Sequence, residues 1–441
     1  MVSPSRMDMS EHVVTGMVPT GSKEKVPLAI VLGGTNPHRA LVQNLQQRGY
    51  RVLLVDYLEA PPAAEIADEH ERISALDVEA VYRLARERNA SLVISVCLDR
   101  TIPVVAEVSH RLGLPTIYTP ENALRFTDKV AMKAVFEQAG VPMAEGRVIR
   151  SLPELERSGL SHPFIVKPAD GTGSLGIGIV RHADVLGAAY AAARDASTSG
   201  IVLAEELLHG RELSIDCIVA EGRCHVLLVR ERLLYRTPQN GVQCYATVAP
   251  AQLAKTNMRV IRDVTERLPR AFGIVNAPLL VQGYLIATGD FKVLEIAVRL
   301  GGGPSSFRSV KLKTGFDLLD AAVDCNLGKP VCVAIQDSGR VYTTVNIYAR
   351  GGPLFGVEGV EKLRDEGVIA EYYPYKPVGT LFPDAITARN RAAAVVIEAA
   401  DHESLYAKVR TLFAQLRVLD TQGRDIMARE IEFVPPSAST A

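Results

Sequence analysis

Metal-binding cysteine and histidine patterns are missing from this chain. Its six cysteines (Cys97, Cys217, Cys224, Cys244, Cys325, Cys332) show no CxxC spacing. They sit mostly in apolar, strand-like runs, which argues against a zinc site and for reduced, buried thiols. The nine histidines are scattered, with no HxxxH pair. An excess of charge of one sign is missing too: 49 Lys and Arg against 50 Asp and Glu leave a net charge of -1. Without a basic stripe, no nucleic-acid partner is expected, and without a bilayer-length apolar run, no membrane partner. The first 25 residues lack a continuous apolar segment of the secretory kind and read as a disordered leader. The expectation is a soluble, cytoplasmic enzyme. What is present is length: 441 residues allow two to four domains with a large core, at roughly 150 residues per domain.

Residues 26–120 alternate between strand and helix patterns. PLAIVL (27–32) reads as a buried strand, Gly33-Gly34 breaks it, and HRALVQNLQQRG carries helical spacing before a second strand, YRVLLVD, ending at Asp56. SLVISVC continues the series, so a parallel sheet covered by helices is predicted. GGTNPH is not GxGxxG, and a tight βα turn that needs glycine explains it better than a dinucleotide site.

Around residue 120 the texture changes. ENALRFTDKVAMKAVFEQAGVP reads as a helical segment with Val130, Met132, Val135 and Phe136 on one face and Asp128 as N-cap. Lys129 then occupies the first turn, where a cation opposes the helix dipole, and this hints at an anionic partner. PFIVKPADGTGSLGIGIV places Lys167 before a loop containing Gly171, Gly173, Ser174, Gly176 and Gly178. Such a loop lets backbone N–H groups surround phosphate oxygens, although it is not a Walker A motif. IVLAEELLHGRELSIDCIV follows, with Glu205, Glu206 and Glu212 around a short break between two apolar strands.

Residues 281–299, VQGYLIATGDFKVLEIAVR, read as a hairpin around Thr288-Gly289. Pairing Ala287 with Asp290 sets a register in which Ile286 faces Phe291, Tyr284 faces Val293 and Gln282 faces Glu295, about 4.5–5.5 Å apart at Cβ. Alternation keeps Ala297 and Arg299 on the Glu295 side. An amide oxygen, a carboxylate and a guanidinium then converge, an arrangement suited to Mg²⁺ shared with substrate phosphates. A hydrogen-bonded Gln–Glu pair at a sheet edge reads equally well from the hairpin alone.

In this order, the TDK helix, K-P-x-x-G-x-G-S-x-G loop, E-E-L-L-x-G-x-E-L-S segment, Gln282 strand and E-x-x-x-R end resemble the ATP-grasp superfamily from Thr127 to Arg299. The resemblance implies an α/β and α+β chain with the ATP-grasp fold: an N-terminal βα domain (26–120), an ATP-grasp domain (121–340) whose phosphate lid spans about 145–205, and a C-terminal α+β lobe (341–441). It implies that Lys129, Lys167, Gly171, Gly173, Ser174 and Gly176 hold the phosphates of ATP. Glu205, Glu206 and Leu208 would hold adenine and Glu212 the ribose, with Gln282 and Glu295 as ligands of Mg²⁺, Mn²⁺ being an alternative. Arg299 and Lys167 would be the catalytic pair. Two departures stand out. The first metal ligand is Gln282, as in carbamoyl phosphate synthetase, and Ala297 replaces the asparagine usual after the second, which puts a second metal in doubt.

The implied activity is that of a carboxylate–amine ligase resembling L-amino-acid (dipeptide) ligases, acting on small carboxylate and amine substrates, with a homodimer left open. A purine-pathway or biotin carboxylase-like enzyme, or a nucleotide-binding protein with a degenerate site, are the alternatives. Substrate contacts are expected from Gly302, Gly303, Arg308 and Lys311, where glycines admit a ligand and cations suit a carboxylate, and from Tyr245 in a loop with Arg236 and Asn240.

Overall fold

The computed structural model describes residues 26–170, 176–237 and 241–436, and strand counts refer to these. The expected leader, Gly171, Gly173, Ser174 and Asn240 lie outside the described residues.

Strands β1 (Leu28–Leu32), β2 (Arg51–Val55), β3 (Glu69–Glu71) and β4 (Leu92–Ile94) form a parallel sheet in the order β3-β2-β1-β4. All of β1 is buried, as a continuous apolar run with helices on both faces requires. Gly33 ends it at φ +103°, where a Cβ would meet Leu98 Cδ1 at 2.6 Å, so the turn itself demands glycine. His38 beside it is fully buried. The Ser95 hydroxyl donates to Leu32 O (2.9 Å) and so accepts from His38 Nε2 (3.1 Å), leaving Nδ1 to accept from the Thr35 hydroxyl at 2.7 Å. Burial pushes the His38 pKa down from 6.5 to about 3, so the ring is neutral.

The helical segment expected over 121–142 is two helices, Pro120–Thr127 and Lys129–Gln138, the second starting after the expected N-cap Asp128. Asp128 separates them with extended backbone, and its side chain caps the second by accepting from Ala131 N at 2.8 Å. A separate small lobe follows. Its strands β5 (Gly146–Ile149), β6 (Phe164–Pro168), β7 (Gly178–Val180) and β8 (Val202–Glu206) pair in the order β5-β8-β6-β7 around their own core of Ile149, Phe164, Val166 and Tyr190.

Strands β9 (Gly210–Ala220), β10 (Arg223–Arg236), β11 (Val242–Ala249), β12 (Ala277–Ile286) and β13 (Phe291–Ala297) belong to an eight-stranded sheet. Strand β14 (Val341–Tyr348) pairs with β11, and β18 (Arg391–Ala399) and β16 (Glu371–Pro374) extend the sheet beyond it. One sheet thus runs across residue 340. Strands β15 (Gly352–Glu358), β17 (Leu381–Phe382) and β19 (Arg417–Asp420) form a small sheet on the C-terminal side. Among the described residues no helix is long and apolar enough to cross a membrane.

The β12–β13 hairpin corrects the expected register. Ile286 N bonds Asp290 O (3.0 Å), so the loop is Ala287, Thr288 and Gly289, the last at φ +88°. Three-residue loops of this kind need the left-handed position that glycine supplies. Leu285 therefore faces Phe291, Tyr284 faces Lys292 and Gly283 faces Val293, where Ile286–Phe291 and Tyr284–Val293 were expected. A bulge after Gln282 then absorbs one residue of β13 and restores the Gln282–Glu295 pair. The two shifts cancel. The buried face carries Leu279, Val281, Leu285, Phe291 and Val293, leaving Gln282, Tyr284, Lys292 and Glu295 more accessible.

Candidate active site

Across β10, β9, β12 and β13, alternation puts a polar stripe on one sheet face. Arg230 pairs with Ser214, Ser214 with Gln282, and Gln282 with Glu295. Two residues further along, Glu212 pairs with Tyr284. The Gln282 amide, oriented by the hydrogen bonds it makes, donates to Glu295 Oε1 (2.9 Å) and accepts from Arg232 Nη1 (2.9 Å) and Ser214 Oγ (3.3 Å). Arg232 Nε also lies 2.6 Å from Glu212 Oε1, a contact of charges whose N–H points aside. Tyr284 Oη donates to the other Glu212 oxygen at 2.8 Å.

A second cluster faces this stripe from the helix Lys129–Gln138 and the small lobe. Lys129 Nζ is 3.7 Å from Glu295 Oε2, joining the helix start to the hairpin. One turn on, Lys133 Nζ is 3.0 Å from Glu205 Oε1, an ion pair not aligned as a hydrogen bond, and Lys167 Nζ is 2.8 Å from Oε2. Only 1% of Glu205 is exposed, so the pairs are deeply desolvated. Burial would raise its carboxyl pKa, but Lys167 and Lys133 outweigh that and hold it below its ordinary value. Burial pulls the Lys133 pKa down. Glu206 Oε1 is taken by Lys292 and by Glu145 N (3.0 Å), and Leu208 is buried in the connection from β8 to β9. Gly176 ends the glycine loop at φ +71° beside Ala196.

Arg299 lies two residues past β13 and is held from the 3₁₀ turn Asp99–Thr101 that follows β4. Its Nε donates to Asp99 Oδ1 (2.7 Å), its Nη2 to Oδ2, and Nη1 to Leu300 O (2.7 Å). Leu300 N bonds Val96 O (2.9 Å), and Tyr118 Oη bonds Val298 O (2.6 Å). Burial works against the guanidinium charge, Asp99 more than offsets it, and its pKa is raised. The glycines beyond are anchored from below. Ser306 Oγ accepts from Gly301 N (2.9 Å) and donates to Asp216 Oδ1, while Asp216 is gripped by buried Arg230 through Nε at 2.6 Å.

The structure thus brings Lys129, Lys167, Glu205, Glu206, Glu212, Gln282, Glu295 and Arg299 to one region. It does not bring the expected substrate residues there as a group. Gly303 caps the helix Pro304–Thr314 at φ +70°, with an added Cβ 2.7 Å from Tyr375 Oη, and Gly302 is open. Arg308 is held by Glu371 and Lys311 by Asp317 in a separate cavity of about 960 Å³ with Asn36, Tyr373 and Tyr375. None of the eight residues gathered above lines that cavity. Tyr245 is buried in the C-terminal core, its hydroxyl accepting from Val434 N at 3.1 Å.

Sequence reading missed Lys133, Ser214, Arg232 and Asp99. Lys133 stands one helical turn from Lys129, and E-x-S-x-D and R-x-R each place their polar residues on one strand face, so the first three had a signal. Asp99 had none, because only the tertiary fold brings it to Arg299. Among the described residues no group of three or more His, Cys, Asp or Glu is placed to hold a metal. Of this pair only the Glu295 carboxylate offers oxygen to a hard cation that takes its remaining oxygens from phosphates, because the Gln282 amide turns its nitrogen to Glu295 and its oxygen to Arg232 and Ser214.

Residues 160–306 match the ATP-grasp domain model. The chain carries an ATP-grasp domain and has the ATP-grasp fold. It is 26% identical over 278 residues to the L-arginine-specific L-amino acid ligase of Bacillus subtilis, covering 57% of this chain and 64% of that protein. It is 29% identical over 197 residues to the D-alanine--D-alanine ligase of Acidiphilium cryptum, covering 44% of this chain and 64% of that one. The chain therefore spans just under two thirds of either relative's length. The crystal structure of an L-amino acid ligase from Bacillus licheniformis superposes with a TM-score of 0.76 at 20% identity, over 91% of this chain and 100% of that one.

Proposed function

We propose that this protein is an ATP-dependent carboxylate–amine ligase that joins amino acids or similar small molecules, releasing ADP and phosphate. The observation that carries the reading is the 3.7 Å approach of Lys129 Nζ to Glu295 Oε2, with Arg299 two residues past the same strand. A cation from the helix Lys129–Gln138 thus meets a metal-type carboxylate on β13, and an anion-binding guanidinium follows that carboxylate on the same stretch of chain. The named activities of the amino-acid and D-alanine ligases support the reaction class.

In this reading a substrate carboxylate oxygen attacks the γ-phosphorus of ATP, and ADP leaves. The amine of the second substrate attacks the acyl carbon, phosphate leaves, and the amine proton passes to solvent. Lys129 and Lys167 neutralise phosphate oxygens, and the Arg299 fork, preset by Asp99, receives a carboxylate or the acyl phosphate. Mg²⁺ held by Glu295 would shield charge as phosphate is transferred. A purine-pathway or biotin carboxylase-type reaction is the weaker reading, because the amino-acid and D-alanine ligases support amide formation between amino acids. Equilibrium binding of a non-hydrolysable ATP analogue tests the nucleotide part. Lys129→Ala and Lys167→Ala each weaken it by about tenfold or more, as loss of a charged hydrogen bond implies. Unchanged affinity in both variants moves the phosphate site elsewhere.

A further inference from the structure

The polar stripe contains a cation, Arg232, that the ligase reading does not use. Arg232 is surrounded by groups that would otherwise compete for metal: Glu212 Oε1 at 2.6 Å from its Nε and the Gln282 amide oxygen at 2.9 Å from its Nη1. Ser214 Oγ shares that amide oxygen at 3.3 Å, so both of its lone-pair directions are occupied by protein donors. The amide nitrogen in turn faces Glu295. Arg232 lies close enough to Glu212 and Glu295 for both to stabilise its charge. On the strand across the hairpin, Ala297 is buried opposite Leu280 and supplies no oxygen at all.

We propose that Arg232 is the fixed second cation of this site, so that the chain binds one divalent metal, through Glu295, where a guanidinium anchored on Gln282 and Glu212 stands in for another. The inference rests on the ATP reading and deepens it. A triphosphate brings several negative charges against a face that already holds Glu212 and Glu295. Their charge must be balanced by metals or by side chains. A guanidinium is weakly hydrated, always charged, and presents a planar fork to phosphate oxygens. It supplies charge without coordination geometry, which accounts for tolerating both an amide at 282 and an alanine at 297. Gln282 then acts as a positioning residue for Arg232 rather than as a metal ligand.

The test counts metal. Mn²⁺ per chain is measured by equilibrium dialysis with a saturating non-hydrolysable ATP analogue, whose own binding is followed in parallel. The wild-type chain is expected to bind the analogue with one Mn²⁺ per chain. Ala297→Asn alone is expected to stay at one, because Arg232 still fills the position, and Arg232→Ala with Ala297→Asn to rise to two. Two Mn²⁺ in the wild type, or two in Ala297→Asn alone, overturns the inference while leaving the nucleotide site standing. No analogue binding by the wild-type chain overturns the ATP reading and this inference with it. If the double variant fails to fold, the count in Ala297→Asn still decides, because a site that merely lacked a ligand at 297 would rise to two there.

Discussion

The Asp99 carboxylate grips the Arg299 guanidinium from 200 residues away in the chain, Arg299 Nε donating to Asp99 Oδ1 at 2.7 Å. A residue of the short 3₁₀ turn Asp99–Thr101, which follows the last strand of the N-terminal sheet, thus sets the direction of the guanidinium that follows the metal-type strand. Asp99→Asn keeps the size of the side chain and removes the charge that fixes the fork. Its kcat is expected to fall by roughly tenfold or more, the scale of losing a charge-assisted contact, with affinity for an ATP analogue unchanged. Steady-state ADP release beside a nucleotide titration checks this, and a parallel loss of nucleotide affinity would contradict a role confined to Arg299.

Glu295→Ala removes the only carboxylate of the hairpin that faces the site. Turnover is expected to drop by roughly a hundredfold or more, since even outer-sphere partners of a metal are worth about 10–100-fold. The melting temperature should stay near wild type because the side chain is partly exposed and not in the core. Near-wild-type turnover would remove the proposed metal site.

Lys167→Ala acts twice. It leaves buried Glu205 with Lys133 alone, and breaking a buried pair costs about 3 kcal/mol. Denaturant unfolding should show that loss, and the KM for ATP should rise more than that for the acid. A variant as stable as wild type would mean the pair is not buried in solution.

Gly283 is where the hairpin bulge meets the core. An added Cβ would lie 2.6 Å from Phe291 Cζ and against Lys292 O, so Gly283→Ala must push the strands apart beside Gln282. A cost of about 1–3 kcal/mol is expected from overpacking. Thermal unfolding checks it, and an unchanged midpoint would argue against this register.

Acid sensitivity should begin with His38. Burial holds its pKa near 3 in the folded chain against 6.5 ordinarily. Between those values the unfolded chain binds the extra proton, so stability is complete above about pH 6.5 and falls as pH is lowered toward 3. His38→Gln should flatten the wild-type decline in melting temperature between pH 6.5 and 4.5. An identical decline in both proteins would assign it to other groups.

The parallel βα sheet and the Gln282–Glu295 pair were legible because strand alternation and buried apolar runs are local signals. The pair was reached through two errors that cancel: a two-residue turn where Gly289 closes a three-residue loop, and an unbroken strand where β13 carries a bulge. Neither is fixed by hydrophobic pattern alone, since a bulge is decided by what packs beneath it, here Phe291 under Gly283. The break at Asp128 was visible only as a cap, because an aspartate that starts one helix also ends the one before it. Asp99 and the burial of Tyr245 depend on strands far apart in the chain, which no local pattern encodes.

The ligase reading is tested most directly by ADP and phosphate release with ATP, Mg²⁺ and a panel of amino acids supplied singly and in pairs, with mass spectrometry of the products. The account predicts substrate-dependent ADP formation and a product whose mass is the sum of acid and amine less one water. Bound nucleotide with no substrate-dependent turnover across a broad panel of acids and amines would contradict it.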